Sequence, residues 1–172
     1  MKLWIVRHGI ARDVGENGIA RDEDRTLSPK GVRRTREAAC ALGVFGAAPD
    51  RIASSPLPRA LETAALLSEA LNRECGLDLL DGLRPGGDMA EAWHWMRRHA
   101  REAQLMIVGH MPDVSVLAAQ CIARSADAAV RFGKAAACGI EFDALPERGY
   151  GVLDFLLQPA ALRAAAKNVT DS

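Results

Sequence analysis

Three short apolar runs, Leu3 to Val6, Arg51 to Ser54 and Leu105 to Val108, each break off at a polar or glycine-bearing turn on the way to a helical pattern. Short apolar runs bounded by turn residues read as buried strands. The long polar loop from Ile10 to Thr26 follows the first of them. Ser28-Pro29 then places a serine at an N-cap and a proline at the first helical position, with Val32, Thr35, Ala39 and Leu42 at helical spacing and Gly43 as a stop. After the second run, Ser55-Pro56 repeats the cap signal, and Leu57, Leu61, Ala64, Ser68 and Leu71 mark one helical face. Pro112 opens a helix after the third, carrying Val116, Ala119 and Ile122. Between these units lie a weak strand at Leu77 to Leu80 and a helix from Met89 to Ala100, with Asp88 as its cap. Gly139 to Leu145 and Val152 to Leu157 read as late strands joined by a polar turn around Glu147-Arg148-Gly149. A last helix spans Ala160 to Lys167, and the tail from Asn168 is expected to fray. Strands alternating with helices predict an α/β three-layer sandwich, with a mostly parallel sheet, helices on both faces and an antiparallel edge.

At 172 residues the chain reads as one domain spanning 1–172. Lys plus Arg equals Asp plus Glu at 22 each, so neither nucleic acid nor an anionic membrane is the expected partner. Arginine dominates the cations, 18 against 4 lysines, and its planar fork suits phosphate and carboxylate. Cys40, Cys75, Cys121 and Cys138 form no CxxC pair and read as buried free thiols rather than a disulfide or zinc framework. The run from Met1 to Val6 is too short for a signal segment, and no apolar stretch is long enough to span a bilayer. A cytoplasmic protein is expected.

Parallel α/β sheets bind ligands at the carboxyl ends of their strands, and the chemistry of this chain gathers there. Arg7-His8-Gly9 follows the first strand. Ser54-Ser55-Pro56-Leu57-Pro58-Arg59 follows the second and leaves Arg59 in the first turn of a helix. Gly109-His110-Met111-Pro112 follows the clearest strand. Two histidines and two arginines beside two helix N-termini fit an anion, phosphate above all. His94 and His99 fall on a charged helix and read as surface residues. On that helix Trp93 and Met96 share a core face with Met89, whereas Trp95 points elsewhere, toward burial or a docking surface.

These residues resemble the histidine phosphatase superfamily, also called phosphoglycerate mutase-like. Its Arg-His-Gly is matched by Arg7, His8 and Gly9; its Ser-Pro-x-x-Arg by Ser55 through Arg59, continued by Ala60-Leu61-Glu62-Thr63-Ala64; its second histidine by Gly109-His110. Arg25-Thr26-Leu27-Ser28-Pro29-Lys30-Gly31, Leu83 through Asp88 and His110-Met111-Pro112 are most similar to the small SixA-type phosphohistidine phosphatases. The resemblance implies His8 as a nucleophile that carries a covalent phosphoryl group. Arg7, Arg59 and His110 would hold the equatorial oxygens, Arg25 would join them in binding substrate, and no metal or cofactor is implied.

Phosphomonoesterase members of the family commonly place a glutamate after the third strand as general acid. This chain has none until Glu91; Asp81 and Asp88 are substitutes, and Asp88 serves equally as a helix cap. The family's asparagine six residues past the nucleophile is also missing, since Val14 stands there. An imidazole leaves far more readily than an alkoxide, so the gap points to phosphohistidine. The expected substrate is a phosphorylated protein, such as a histidine phosphotransfer domain. The alternatives are a phosphomonoesterase acting on a small phosphate ester, and a phosphate-binding module without turnover.

Overall fold

A computed structural model describes residues 1–71, 75–124 and 129–170, with side chains through Lys167. The main chain forms one six-stranded sheet in the order β3-β2-β4-β1-β5-β6. Strands β1 (Lys2–Arg7), β2 (Arg51–Ser54), β3 (Gly76–Leu79) and β4 (Gln104–Gly109) run parallel. Strand β5 (Ala137–Glu141) pairs antiparallel with β1, and β6 (Val152–Leu157) antiparallel with β5, which supplies the expected antiparallel edge. Among the described residues five α-helices complete the three layers: α1 (Pro29–Val44), α2 (Pro58–Ala70), α3 (Met89–Arg98), α4 (Asp113–Ile122) and α5 (Pro159–Thr170).

The alternation of β1 decides which helix lies on which face. Trp4 and Val6 share a buried cluster with Ala38 and Leu42 of α1, Ala64 and Leu67 of α2, and Leu162 of α5. Leu3 and Ile5 belong to the opposite cluster, with Trp93 and Met96 of α3 and Val114 and Leu117 of α4. Parallel strands buried on both faces are continuous apolar runs, which explains Leu3 to Val6 and Leu105 to Val108. Serine and aspartate end the first helical turns as the sequence implies: Ser28 Oγ accepts from Gly31 N at 3.0 Å and Asp88 Oδ1 from Ala90 N at 2.9 Å. Among the described residues no helix is long and apolar enough to cross a membrane.

Several local expectations are corrected. Helix α2 starts at Pro58 with Leu57 as its N-cap, because the second proline and not the first takes the initial helical position. Ser55 instead braces the preceding turn by accepting from Leu57 N at 3.3 Å. The buried face of α2 is Arg59, Ala60, Thr63, Ala64 and Leu67, so Leu61 and Ser68 lie at its margin. In α4 the buried residues include Val114, Leu117, Ala118 and Cys121, whereas Val116 is exposed. Trp95 is buried beside Trp93 and donates from Nε1 to Asp78 Oδ2 at 2.8 Å; α3 buries a stripe wide enough to hold both indoles. His99 stacks at 5.2 Å on that indole and is half-buried rather than free on the surface. Only Cys121 and Cys138 are buried; Cys40 is exposed on the outer side of α1, and Cys75 is intermediate. The terminal helix continues through Thr170 instead of fraying from Asn168, and Asp171 and Ser172 lie outside the described residues.

The first turn of α1 lies directly on the segment leaving β1. Ile10 O accepts from Ser28 N at 2.9 Å, and a Cβ on Gly31 would collide with that same carbonyl. A backbone obstacle cannot rotate away as a side chain can. Gly31→Ala should therefore cost about 1–3 kcal/mol, the range for overpacking a close contact, read as a lower urea midpoint. An unchanged midpoint contradicts the close approach.

Candidate active site

Because β4 lies between β2 and β1, the carboxyl ends of the three chemistry-bearing strands are neighbours. The ladder continues past the strands: His8 N donates to Gly109 O at 3.0 Å, and Ser55 N donates to Val108 O at 3.1 Å. This brings the His8 and His110 rings to 4.9 Å between centroids, tilted at 52°. Helix α2 then folds Arg59 back onto the same edge. Its Thr63 ties the pieces together, accepting from Gly9 N at 3.0 Å and donating to Arg59 O at 2.6 Å. Gly9 itself is required by crowding, since a Cβ there would lie 2.5 Å from Thr35 Oγ1.

His8, Arg59 and His110 are 7%, 5% and 2% exposed, so three basic side chains are nearly withdrawn from water at one spot. Arg7 donates from Nη1 to Phe132 O at 2.9 Å, while its Nε is buried without a partner among the described residues. His8 Nδ1 lies 2.7 Å from Gly9 O. A carbonyl can only accept, so Nδ1 carries the proton and Nε2 keeps its lone pair. His110 Nε2 lies 2.9 Å from Ser55 Oγ, which already accepts from Leu57 N. His110 Nδ1 is buried without a protein partner among the described residues.

Electrostatics hold both rings neutral. Burial pushes His8 down to about 3, helped by His110, Arg59 and Arg7 and opposed by the Gly9 carbonyl. Burial likewise lowers His110 to about 4, with Arg59 and Arg7 adding to the effect and Asp22 opposing it. The result is a neutral imidazole with a free nitrogen, a second imidazole able to donate, and two guanidinium groups. Such a set suits nucleophilic attack on a centre whose surrounding oxygens are negative. Among the described residues no group of three or more His, Cys, Asp or Glu is arranged to hold a metal ion.

Arg25 meets this cluster through Asp22, a residue that sequence reasoning missed. Arg59 donates to Asp22 O at 2.7 Å and from Nη2 to its Oδ2 at 3.1 Å, while Arg25 Nη1 meets Asp22 Oδ1 at 2.9 Å. Arg25 also holds the loop by donating to Arg12 O and, at 3.0 Å, to Asp13 Oδ1. One carboxylate thus bridges the two arginines, and its pKa lies below the usual carboxylate range, chiefly through the Arg25 hydrogen bond. The one available signal was an acid three residues before Arg25 in a loop of alternating charge. Ser55 and Thr63 left a fainter trace, because their partners come from other elements.

The three carboxylates weighed as general acids are engaged elsewhere. Asp81 is largely exposed and pairs with Arg84 Nε at 2.8 Å. Asp88 caps α3, and Glu91 accepts from Gly82 N to hold the turn at Asp81–Leu83. Beside Asp22, the residues Arg21, Glu23, Leu57, Arg84 and Pro85 line an open cleft of about 420 Å³.

Residues 3–85 match the family model of the histidine phosphatase superfamily, branch 1. The chain belongs to the histidine phosphatase superfamily. It is 39% identical over 118 residues to an uncharacterized protein of Picosynechococcus sp., covering 66% of this chain and 68% of that one. It is 26% identical over 167 residues to phosphohistidine phosphatase SixA of Escherichia coli, covering 96% and 98% of the two chains. A solved structure of the protein histidine phosphatase SixA complexed with tungstate superposes with a TM-score of 0.81 at 25% identity, over 94% of this chain and 99% of that one. The same fold is shared with the alpha-ribazole phosphatase of Shigella flexneri, at TM-score 0.67 and 18% identity over 91% and 96% of the chains. As a member of this superfamily the chain is a phosphatase, a hydrolase.

The neutral imidazoles make the fold acid-sensitive. Each has a folded pKa below its ordinary 6.5, so the unfolded chain binds the extra protons as the medium acidifies. Stability should be fully present above about pH 6.5 and decline from there toward pH 4 and then 3. Thermal unfolding across that window should fall more steeply in wild type than in His110→Gln. Parallel curves would contradict a neutral, buried His110.

Proposed function

We propose that this phosphatase removes the phosphoryl group from a phosphohistidine on a partner protein, using His8 as a covalent nucleophile. His8 Nε2 attacks phosphorus in line as the P–N bond to the substrate imidazole breaks. That imidazole, protonated on its distal nitrogen, departs neutral. Water then attacks the phosphoryl group on His8, releasing inorganic phosphate and restoring the imidazole. Arg7, Arg59 and the His110 imidazole stabilise the equatorial oxygens, and Arg25 binds substrate from the loop side. The tungstate held by SixA is a tetrahedral oxyanion, which supports an anion seat between these groups. No residue in this scheme needs a metal or an organic cofactor.

The observation that carries the substrate choice is the engagement of Asp81, Asp88 and Glu91. General acid catalysis is typically worth about 10²–10⁴-fold, and an alkoxide leaving group needs all of it. A ring-protonated phosphohistidine does not. A second reading, hydrolysis of a small phosphate ester, is supported by the open cleft beside Asp22 and by the fold shared with alpha-ribazole phosphatase.

Ranking kcat/KM on a phosphohistidine protein, an aryl phosphate and an alkyl phosphate separates the two readings. The expected order is the order just given, with substitution of Asp81, Asp88 or Glu91 barely changing the phosphohistidine rate. Alkyl phosphates in first place, with one of those carboxylates essential, would establish the ester reading instead.

His8→Ala should abolish turnover with the fold retained, and quenching wild type with labelled donor should trap label on His8. Arg59→Ala and His110→Ala should each lose about 10²-fold or more, the scale of one preorganised donor. Label trapped on another residue, or normal rates in these variants, would refute the assignment.

Asp22 competes with an incoming anion for the same two arginines. Asp22→Ala should therefore tighten the inhibition constant for inorganic phosphate or vanadate. Weaker inhibition would mean that the carboxylate positions Arg59 rather than opposing the ligand.

A further inference from the structure

Helices α1 and α5 pack against each other at one side of the sheet, and their charge is lopsided. Together they carry Lys30, Arg33, Arg34, Arg36, Arg163 and Lys167 against the single carboxylate of Glu37, a net charge of +5 in a chain whose total is zero. Between them runs a groove of about 970 Å³ lined by Arg33, Arg34, Arg36, Arg163 and Lys167, with Glu37 the one acidic lining residue. Val32, Ala160 and Ala164 contribute apolar surface to the same groove. A second hollow of about 240 Å³ shares Arg34 and Arg163 and adds Lys30 and Lys134. It reaches Ile10 and Ala135, and Ala135 N donates to the carbonyls of both Arg7 and His8 at 3.2 Å. The cationic strip is thus continuous with the edge of the site.

Lys167 stands in the last turn of α5, where the dipole favours a cation, but helix stability does not explain the placement in α1. The first turn of α1 has no acidic residue, and Lys30 and Arg33 stand near the positive end of its dipole, where cations are unfavourable. On α1 four cations face one helical acid and one exposed acid of α2. Glu37 meets Arg34 at 2.8 Å and Arg33 at 3.8 Å, and Glu69 meets Arg36 at 3.4 Å in an exposed pair of the kind that contributes little. The strip also exceeds what a small substrate can touch, since a helix of this length spans about 24 Å.

We propose that the α1–α5 groove docks an acidic surface of the phosphorylated protein whose phosphohistidine enters the neighbouring site. This rests on the reading of the substrate given above. A protein surface suits the groove better than nucleic acid does, because apolar side chains line it beside the cations and the chain as a whole is neutral. Charges of this kind steer encounter and set the salt dependence of association more than they touch the reacting atoms.

The test compares two substrates on one variant, Arg33→Glu with Arg163→Glu, neither residue belonging to the catalytic set. With a phosphoramidate-charged histidine phosphotransfer domain, kcat/KM should fall about tenfold or more at low salt, through KM. Turnover of an aryl phosphate should stay at the wild-type value. Raising the salt should depress the wild-type rate on the phosphoprotein and leave the variant nearly unchanged. The milder pair Arg33→Gln with Arg163→Gln should fall between, and it serves if the charge reversal does not fold. Equal phosphoprotein kinetics in wild type and variants overturns the docking proposal while leaving the substrate reading intact. So does an equal loss on the aryl phosphate, which would indicate damage to the site, or binding of an oligonucleotide that depends on these arginines while phosphoprotein turnover does not. A wild-type enzyme active on the aryl phosphate and inactive on the phosphoprotein refutes the substrate reading itself, and the docking proposal falls with it.

Discussion

The insertion of β4 between β1 and β2 is the constraint on which the rest of the molecule depends. Sequence order would leave His8 and Ser55 on adjoining strands, with His110 at a distance. Spatial order instead puts His110 between them, within hydrogen-bond reach of Ser55 and close beside His8. Burial follows from the same arrangement, because both faces of the central strands are covered by helices. Burial in turn keeps the two imidazoles uncharged next to two permanent cations. The chemistry proposed for the site is therefore a property of strand order as much as of residue type.

What could be read from the sequence was whatever depends on local pattern. The bounds of β2 and β6 agree residue for residue with the apolar runs at Arg51–Ser54 and Val152–Leu157. The caps at Ser28 and Asp88 are formed as their residue types imply. The four residues at strand and helix ends, Arg7, His8, Arg59 and His110, do converge. Features that depend on a distant partner were not legible. Asp22 acquires its meaning from Arg59, thirty-seven residues away in sequence. Trp95 lies off the face shared by Trp93 and Met96, and its burial could not be told from docking until Asp78 of the neighbouring edge strand was seen to accept its indole N–H. The start of α2 was ambiguous for a local reason, two prolines each competent to open the helix.

The loop from Ile10 to Thr26 looked like unstructured connection, and it is an assembled part of the site. Glu62 of α2 accepts from Leu27 N at 2.6 Å, and Arg25 holds the Arg12 carbonyl, so the loop is fastened at its far end and along its middle. Its acidic turn at Asp22–Asp24 is thereby laid against Arg59. Arg59 and Arg25 are thus already charge-balanced from within by one carboxylate. In the function proposed above, a phosphorylated substrate has to displace that internal carboxylate.

The order of strands has one more consequence, at the margins of the sheet. Among the described residues β3 and β6 each have one side without a partner strand, and each carries exposed apolar side chains: Leu77 and Leu79 on one, Val152 and Leu153 on the other. Unpaired strands of this composition are templates for joining another chain edge to edge. Each contains a single aspartate flanked by apolar residues, Asp78 bound to Arg51 and Trp95, Asp154 bound to Lys2. Asp154 is the exposed one and puts a charge in the path of an approaching strand, whereas β3 is guarded by being only four residues long. Removing the Asp154 charge would cost the fold little more than an exposed ion pair and leave that edge less guarded at high concentration, whereas removing Asp78 would also strip the buried Trp95 indole of its acceptor.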